Sequence, residues 1–347
     1  MVGGQDSISS VNSVAKNGPT QVESIEKPKR ASSTSSIGVM RDEIEDQIEA
    51  LPAFASQLEQ YGSARRSDSS DLIFTGSGDS YASSLFAHYL SNGLSPAADP
   101  YELMSTPDLC DDKIVFITSV SGRTKANVRL AKRIRKISRT RIAITANPLS
   151  PLARECDDTI NLPYRNRGPV TPGTLSFTLS LLAVASRIKA LPLLRGLDGI
   201  DERARKWSKR LKIFPHGDFL LLGSGIGYAL SAYGAFKIHE VLGQPAEYEH
   251  TEQVGHSRLF SLRKNDNIIC FATVSDERTA QVSRTLTENG FHSQLLTSNT
   301  LDPVIAGLEA AFSYQHLAVN LAKKRRLNKV AFLTDKVRLA LSSRLIY

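Results

Sequence analysis

Short runs of consecutive apolar residues recur along the chain, and each is followed by a longer stretch with apolar residues at helical spacing. The runs at 72–75, 114–118 and 141–145 are continuous rather than alternating, which is typical of parallel strands buried on both faces. The stretches between them are long enough for helical crossovers. The pattern therefore predicts an α/β fold of doubly wound, three-layer αβα sandwiches with parallel sheets.

An amphipathic helix is predicted ahead of the first strand, over residues 40–62. Its apolar stripe consists of Ile44, Ile48, Leu51 and Phe54. The preceding residues 1–38 are rich in Ser, Gly and Lys and poor in aromatic residues. We therefore expect a disordered N-terminal tail over this segment.

The chain contains an internal repeat. Residues 71–87 read DLIFTGSGDSYASSLFA, and residues 218–234 read DFLLLGSGIGYALSAYG. After small slips the likeness continues between 111–121 and 265–275, and between 145–151 and 297–303. We therefore predict two homologous tandem domains, at residues 39–200 and 201–347.

The first apolar run passes into a helix through a turn of small residues. In doubly wound folds, ligands bind beyond the carboxyl ends of strands, where a helix N-terminus suits an anion. Gly76 and Gly78 allow a tight turn and a close approach of the backbone, and Ser80 adds a hydroxyl at the helix start. This turn is a candidate phosphate site.

A second polar turn, SVSGRT at 119–124, follows the next strand directly. Ser119, Ser121 and Thr124 can converge on one tetrahedral anion, and we expect the N–H of Gly122 to assist them. Each turn alone is equally consistent with an ordinary capped helix. The two turns together, at successive strand ends, favour phosphate binding.

Neither turn matches a nucleotide-binding fingerprint. No GK[ST] follows the second turn, as a P-loop requires, and GSGDSY lacks the third glycine of a dinucleotide site.

The net charge of the 347-residue chain is +8, and the runs KRIRKISRTR and KKRR supply much of it. A nucleic-acid surface is one interpretation of these runs. However, no aromatic residues interleave with them, and no helix-turn-helix or finger pattern accompanies them. We therefore favour solvated helix faces and expect no nucleic-acid partner.

The three cysteines, Cys110, Cys156 and Cys270, are widely separated, which argues against both a disulfide framework and a zinc knot. No apolar run approaches the ~18–20 residues of a membrane span. The first residues also lack the apolar core of a signal peptide. We expect a cytoplasmic chain without a membrane partner.

Five segments together resemble the SIS (sugar isomerase) family of phosphosugar-binding domains, in the form of the isomerase half of glutamine–fructose-6-phosphate aminotransferases. These segments are GSGDSY, SVSGRT, TANPLSPLARECDD, PGTLSFT and GAFKIHEVLGQPAEYEHTEQVGH. The resemblance covers residues 40–347. It implies an isomerase acting on a hexose or aminohexose 6-phosphate, with amination or deamination as a further option and no cofactor.

The resemblance also assigns the phosphate site. It implicates the hydroxyls already singled out and, through the backbone, two positions without a functional side chain. The substrate-binding set is Gly78, Ser80, Ser119, Val120, Ser121 and Thr124. At Val120 the family often has Gln, and a backbone contact would survive the change.

Candidate catalytic residues lie in segment 234–256. Lys237 and Glu240 are three apart and share a helix face. The resemblance implies that Glu240 moves a proton between neighbouring carbons, that Lys237 assists at the oxygens and that His256 opens the sugar ring. In the family this histidine often comes from the neighbouring subunit, which implies a homodimer.

Simpler interpretations remain for these residues. Lys237 and Glu240 could form a surface ion pair, and His256 could be an ordinary loop histidine. A metal site is also conceivable from His239, Glu247, Glu249, His250 and Glu252. No ligand spacing recurs among them, so we predict no metal.

Two departures from the aminotransferase pattern bear on the reaction. Residues 1–38 cannot encode a glutaminase, so amination would need free ammonia or a separate ammonia-supplying subunit. The family's tail lysine matches poorly here, with Lys336 or Lys329 as candidates. A non-catalytic phosphosugar-sensing protein is therefore the alternative to an enzyme.

Overall fold

The computed structural model describes residues 35–62, 68–166 and 170–347. The first sheet consists of β1 (Leu72–Gly76), β2 (Ala97–Ala98), β3 (Ile114–Thr118), β4 (Thr140–Thr145) and β5 (Asp158–Asn161). The second consists of β6 (Phe219–Gly223), β7 (Ala246–His250), β8 (Asn267–Ala272) and β9 (Ser293–Thr297). All neighbouring strands are parallel, in the orders β2-β1-β3-β4-β5 and β7-β6-β8-β9.

Helices connect the strands and cover the sheets. In the first half they are α1 (Ser36–Gly62), α2 (Asp79–Leu90), α3 (Pro100–Ser105), α4 (Lys125–Arg133), α5 (Pro151–Glu155) and α6 (Leu175–Ile188). In the second they are α7 (Leu197–Arg210), α8 (Ile226–Leu242), α9 (Glu277–Glu288), α10 (Pro303–Lys324) and α11 (Lys336–Ile346). The predicted doubly wound α/β fold with two parallel sheets is confirmed.

Alternate residues of each central strand enter different cores. In β1, Phe74 packs into a large cluster shared by both halves, whereas Ile73 packs into a smaller cluster on the opposite face. In β6, Leu221 joins the shared cluster and Leu220 joins a third one. Because both faces are covered, residues 72–74 of β1 and 219–222 of β6 are all apolar, which explains the continuous runs in the sequence.

The N-terminal helix begins earlier than its apolar stripe predicts. It starts at Ser36, whose hydroxyl accepts a hydrogen bond from the N–H of Val330 (2.9 Å), and Ile37 and Val39 are buried. Residues 1–34 of the predicted tail lie outside the described residues. The predicted boundary at residue 200 falls within α7, and the division into two domains stays a prediction.

Part of the basic run KRIRKISRTR forms ion pairs within the first half. Arg139 donates to Asp112 and Asp71, and the buried Arg141 donates to Asp157. These contacts favour the structural interpretation of the run. None of the helices in the described ranges is both long and apolar enough to cross a membrane.

Candidate functional site

The turn between β1 and α2 is tightly built around its glycines. A Cβ on residue 76 would lie 2.6 Å from the Ser80 Cβ, so the close approach of the helix to the strand end requires Gly76. Gly78 has φ +60°, in the left-handed region that suits glycine. Ser80 is thereby held in the first turn of α2 and is largely buried.

The loop between β3 and α4, residues 119–124, brings two hydroxyls together. Ser119 Oγ and Thr124 Oγ1 are 3.2 Å apart. Thr124 directly precedes α4, yet its side chain does not cap the helix. The helix dipole makes this end positive, and its first N–H groups have no intrahelical acceptor. This end of α4 is therefore suited to an anion.

Gly122 has a different role from the one predicted. Its N–H donates to the carbonyl of Ser119 (2.9 Å), so the expectation that this N–H assists the anion is wrong: it closes the turn. The residue has φ +64°, and a Cβ there would lie 2.0 Å from Ser150 Oγ. Gly122 therefore shapes the loop.

The backbone of the loop is tied to the next strand. The Val120 carbonyl accepts from the N–H of Ala146 (3.0 Å), just after β4. Ser121 Oγ accepts from the N–H of Arg123 (3.3 Å). The predicted ligand contacts of Val120 and Ser121 stay predictions.

The two turns leave the same edge of the first sheet. β1 and β3 are adjacent and parallel, with Gly76 opposite Thr118 at their carboxyl ends. Ser80 lies in the turn that follows Gly76, and Ser119 comes directly after Thr118. The fold thus places the two predicted phosphate turns side by side.

The predicted pair in α8 is formed. Lys237 is fully buried, and its Nζ donates to Glu240 Oε2 (2.5 Å). The Glu240 side chain is 37% exposed, so its carboxylate remains accessible. Burial opposes the charge of Lys237, but the carboxylates of Asp79 and Glu240 outweigh it and raise the pKa of this lysine. A buried lysine is not a surface ion pair, so that simpler interpretation is wrong.

Sequence reasoning missed the second partner of this lysine. Lys237 Nζ also donates to Asp79 Oδ2 (2.7 Å), in the first turn of α2. Burial raises the pKa of Asp79 to about 7; Lys237 opposes the rise and Glu240 adds to it. An acidic residue in a helix's first turn is locally unremarkable, because it complements the helix dipole. The sequence around Asp79 therefore does not indicate that it pairs with Lys237.

The other two predicted catalytic residues lie outside α8. His256 is exposed and follows a short 3-10 turn, and Lys336 is the exposed first residue of α11. Neither forms an ion pair with Lys237 or Glu240 among the described residues. Their catalytic roles stay predictions.

The conceivable metal ligands are engaged elsewhere. A ring nitrogen of His239 contacts the carbonyl of Ala246 (2.7 Å), and the ring of His250 stacks on Tyr228 with centroids 3.6 Å apart. Within the described ranges, no three His, Cys, Asp or Glu side chains are grouped as a metal ion would require.

A cavity of about 480 Å³ lies away from these residues, beside the carboxyl end of β9. Its lining includes Arg203, Trp207, Leu295, Asn299, Thr300 and Glu309. Glu309 is already paired with Arg203 (2.8 Å), so the cavity offers no free carboxylate for acid–base chemistry. We therefore base the candidate site on the two turns and the Lys237 cluster.

Comparisons with known proteins agree with this fold. Residues 67–190 match the SIS domain family model. No curated protein matches the chain significantly.

Several solved structures share the architecture. A glucosamine-6-phosphate deaminase from Thermotoga maritima is 20% identical, with 83% of this chain and 95% of that chain covered and a TM-score of 0.69. The C-terminal domain of a glucosamine-fructose-6-phosphate aminotransferase from Francisella tularensis is 18% identical, with coverages of 84% and 97% and a TM-score of 0.64. A tagatose-6-phosphate ketose/aldose isomerase from Escherichia coli is 15% identical, with coverages of 87% and 97% and a TM-score of 0.63. At these identities the likeness establishes the fold.

Proposed function

Because residues 67–190 match the SIS domain family model and the fold is shared with sugar-phosphate enzymes, we propose that this chain is a phosphosugar isomerase. Its substrate would be a hexose or aminohexose 6-phosphate. The observation that carries the proposal is the buried Lys237 held against the accessible Glu240, beside the turn that contains Ser80.

The first half binds the phosphate in this proposal. Ser80, Ser119, Ser121 and Thr124 supply hydroxyls, and the first N–H groups of α4 supply a positive helix end. A sugar phosphate is a dianion near neutral pH, and hydrogen bonds to charged groups are stronger than those between neutral groups. Gly78 and Val120 contribute backbone only.

The second half performs the chemistry. Glu240 removes the proton from C2 of the open-chain aldose and returns it to C1, while the hydroxyl proton passes from O2 to O1, so the aldose becomes the ketose without net loss of a proton. The ammonium of Lys237 stabilises the negative charge that develops on the substrate oxygen in the enediolate. Lys237 is suited to this role because it is buried and its charge is held by carboxylates.

Ring opening requires a further acid–base group, for which His256 is the candidate. Its exposure supports action on a second copy of the chain, and a homodimer is part of the proposal. Lys336 is the candidate tail lysine, in a helix whose residues are all exposed. The ring of Tyr347, at the end of this tail, lies 5.8 Å from the guanidinium of Arg123 in the 119–124 loop.

For an aminohexose substrate, deamination is the simplest reaction, because it needs no nitrogen donor. Glucosamine 6-phosphate and water would give fructose 6-phosphate and ammonia. The reverse reaction would require free ammonia or a separate ammonia-supplying subunit.

The test is to incubate the protein with glucosamine 6-phosphate, and separately with fructose 6-phosphate with and without ammonia. Product formation and ²H exchange at C1 and C2 in D₂O are followed by NMR. We expect turnover that Glu240→Gln lowers about 1000-fold. Absence of turnover with every substrate, or undiminished turnover in Glu240→Gln, would contradict the proposal.

A phosphosugar sensor is the second candidate function. It is favoured because, among the described residues, no hydrogen bond or ion pair joins Lys237 to His256 or Lys336. Thermal stabilisation by a hexose 6-phosphate, without turnover or isotope exchange, would support the sensor over the enzyme.

A further inference from the structure

Lys237 contacts two carboxylates, that of Glu240 and that of Asp79. Asp79 Oδ2 lies 2.7 Å from Lys237 Nζ, and the Asp79 side chain is only 19% exposed. Its other oxygen, Oδ1, is buried and accepts no hydrogen bond from the described residues. Apart from a hydrogen bond from the backbone of Gly173, the carboxyl group is therefore directed at Lys237.

Three elements define the position of Asp79. Its backbone begins α2, in the turn that also presents Ser80. Gly173 packs so closely that a Cβ there would lie 2.4 Å from Oδ2. The Gly173 carbonyl in turn accepts a hydrogen bond from Tyr233 OH (2.7 Å), and the Tyr233 ring lies 5.0 Å from Lys237 Nζ. The contact thus joins an element of the first half to α8 of the second.

Stability alone does not account for this arrangement. One carboxylate, Glu240, would neutralise the buried ammonium, and a second buried carboxylate adds a desolvation penalty. Groups held in such an unfavourable state cluster at functional sites. The charge that the arrangement favours is that of Lys237, which faces two carboxylates from two helices.

We infer that Asp79 is a positioning residue that keeps Lys237 as an ammonium aimed at the substrate oxygens. Lys237 then acts as a cation and does not form an imine with the sugar carbonyl, because imine formation requires the neutral amine. This inference rests on the proposed function for the identity of the substrate. The state of Lys237 can be tested without turnover.

The first test is a double-mutant cycle at pH 8 with Asp79→Asn and Lys237→Met, followed by thermal unfolding. Without the lysine, Asp79 is a buried carboxylate that lacks its cation. The melting-temperature change caused by Asp79→Asn should therefore be several degrees more positive in the Lys237→Met chain than in the parent. Equal changes in both backgrounds would overturn the inference. Lys237→Gln replaces Lys237→Met if that variant does not fold.

The second test treats the parent chain with borohydride in the presence of fructose 6-phosphate and analyses Lys237 peptides by mass spectrometry. Borohydride would reduce an imine to a stable secondary amine. No adduct on Lys237 is expected, and a stoichiometric adduct would overturn the inference.

The third test measures kinetics of Asp79→Asn on whichever substrate the parent turns over. We expect kcat to fall about 100-fold with KM changed less than twofold, because the phosphate contacts are intact. Asp276→Asn, which removes a carboxylate from the second half, should leave both parameters unchanged. An unchanged kcat in Asp79→Asn would overturn the inference. If the parent turns over no substrate, the proposed function is contradicted. The double-mutant cycle and the borohydride experiment still test whether Lys237 is held as an ammonium.

Discussion

The two halves of the molecule use the same turn after their first central strand, but with different side chains. Gly78 has φ +60° and ψ −128°, and Gly225 has φ +54° and ψ −128°. Ser80 follows the first turn, whereas Gly227 occupies the corresponding place after the second. The backbone is the same in both turns, and only the first presents a hydroxyl at the helix start.

The second pair of loops differs more sharply. Thr124 leaves the N-terminus of α4 without a side-chain cap, whereas Asp276 accepts a hydrogen bond from the N–H of Thr279 (3.0 Å) and caps α9. Asp276 thus places its own carboxylate where an anion would bind. The first half is open to a phosphate and the second is closed by its own charge. The second half contributes Lys237 and Glu240 instead.

The largest effect is expected from Glu240→Gln, which tests the division between a binding half and a reacting half. Loss of the base should lower kcat about 1000-fold, within the range typical of acid–base catalysis, while binding of the sugar phosphate is retained. Steady-state kinetics and calorimetric titration measure the two quantities. Glu247→Gln is the matched control, because Glu247 is exposed and paired with Arg258. Loss of binding in Glu240→Gln would contradict the division between a binding half and a reacting half.

The next effect is expected from Thr124→Asp, which gives the first loop the cap of the second. A carboxylate at this position repels the phosphate and occupies the N–H groups that would bind it. Affinity for fructose 6-phosphate should fall about 100-fold, since a hydrogen bond to a charged group contributes about 1.5–3 kcal/mol. The reciprocal Asp276→Thr should leave the affinity unchanged in calorimetric titration. Equal losses in both variants would show that the halves do not differ as described.

A third prediction concerns the loop glycines. Gly122→Ala introduces both a left-handed alanine and a collision with Ser150, and should reduce the free energy of unfolding by about 3 kcal/mol. Gly196 is also left-handed (φ +72°, ψ 29°) but has open space around its Cβ position, so Gly196→Ala should lose only about 1 kcal/mol from backbone strain. Urea unfolding of the two variants measures the difference. Equal losses would contradict the crowding at Gly122.

The last prediction is a pH dependence that belongs to the first half. The pKa of Asp79 is raised by burial from 3.8 to about 7 in the folded chain, so its protonated form is favoured by folding. Its contribution to stability is full below about pH 4 and is lost as the pH rises through 7. Between pH 5 and pH 8 the parent should therefore lose more unfolding free energy than Asp79→Asn. Parallel pH profiles in urea unfolding would contradict this sign.

Local pattern was sufficient for much of the fold and part of the site. The runs at 72–75 and 114–118 correspond to β1 and β3, because parallel strands covered on both faces require apolar residues throughout. The two turns could also be predicted from their small residues, because turn geometry depends on neighbours in the chain. The prediction for the Gly122 N–H was wrong because the sequence does not show which acceptor a loop N–H reaches.

The sequence by itself determined the parallel sheets, the paired glycine turns and the Lys237–Glu240 pair, all of which depend on residues a few positions apart. Only the tertiary structure decided that Asp79 joins that pair, since the two residues are 158 positions apart and meet through the packing of α2 on α8. It also decided that α1 starts at Ser36, because a hydrogen bond from Val330 and burial of the first residues stabilise that turn. Contacts of this kind depend on how distant elements pack, and no local pattern encodes that.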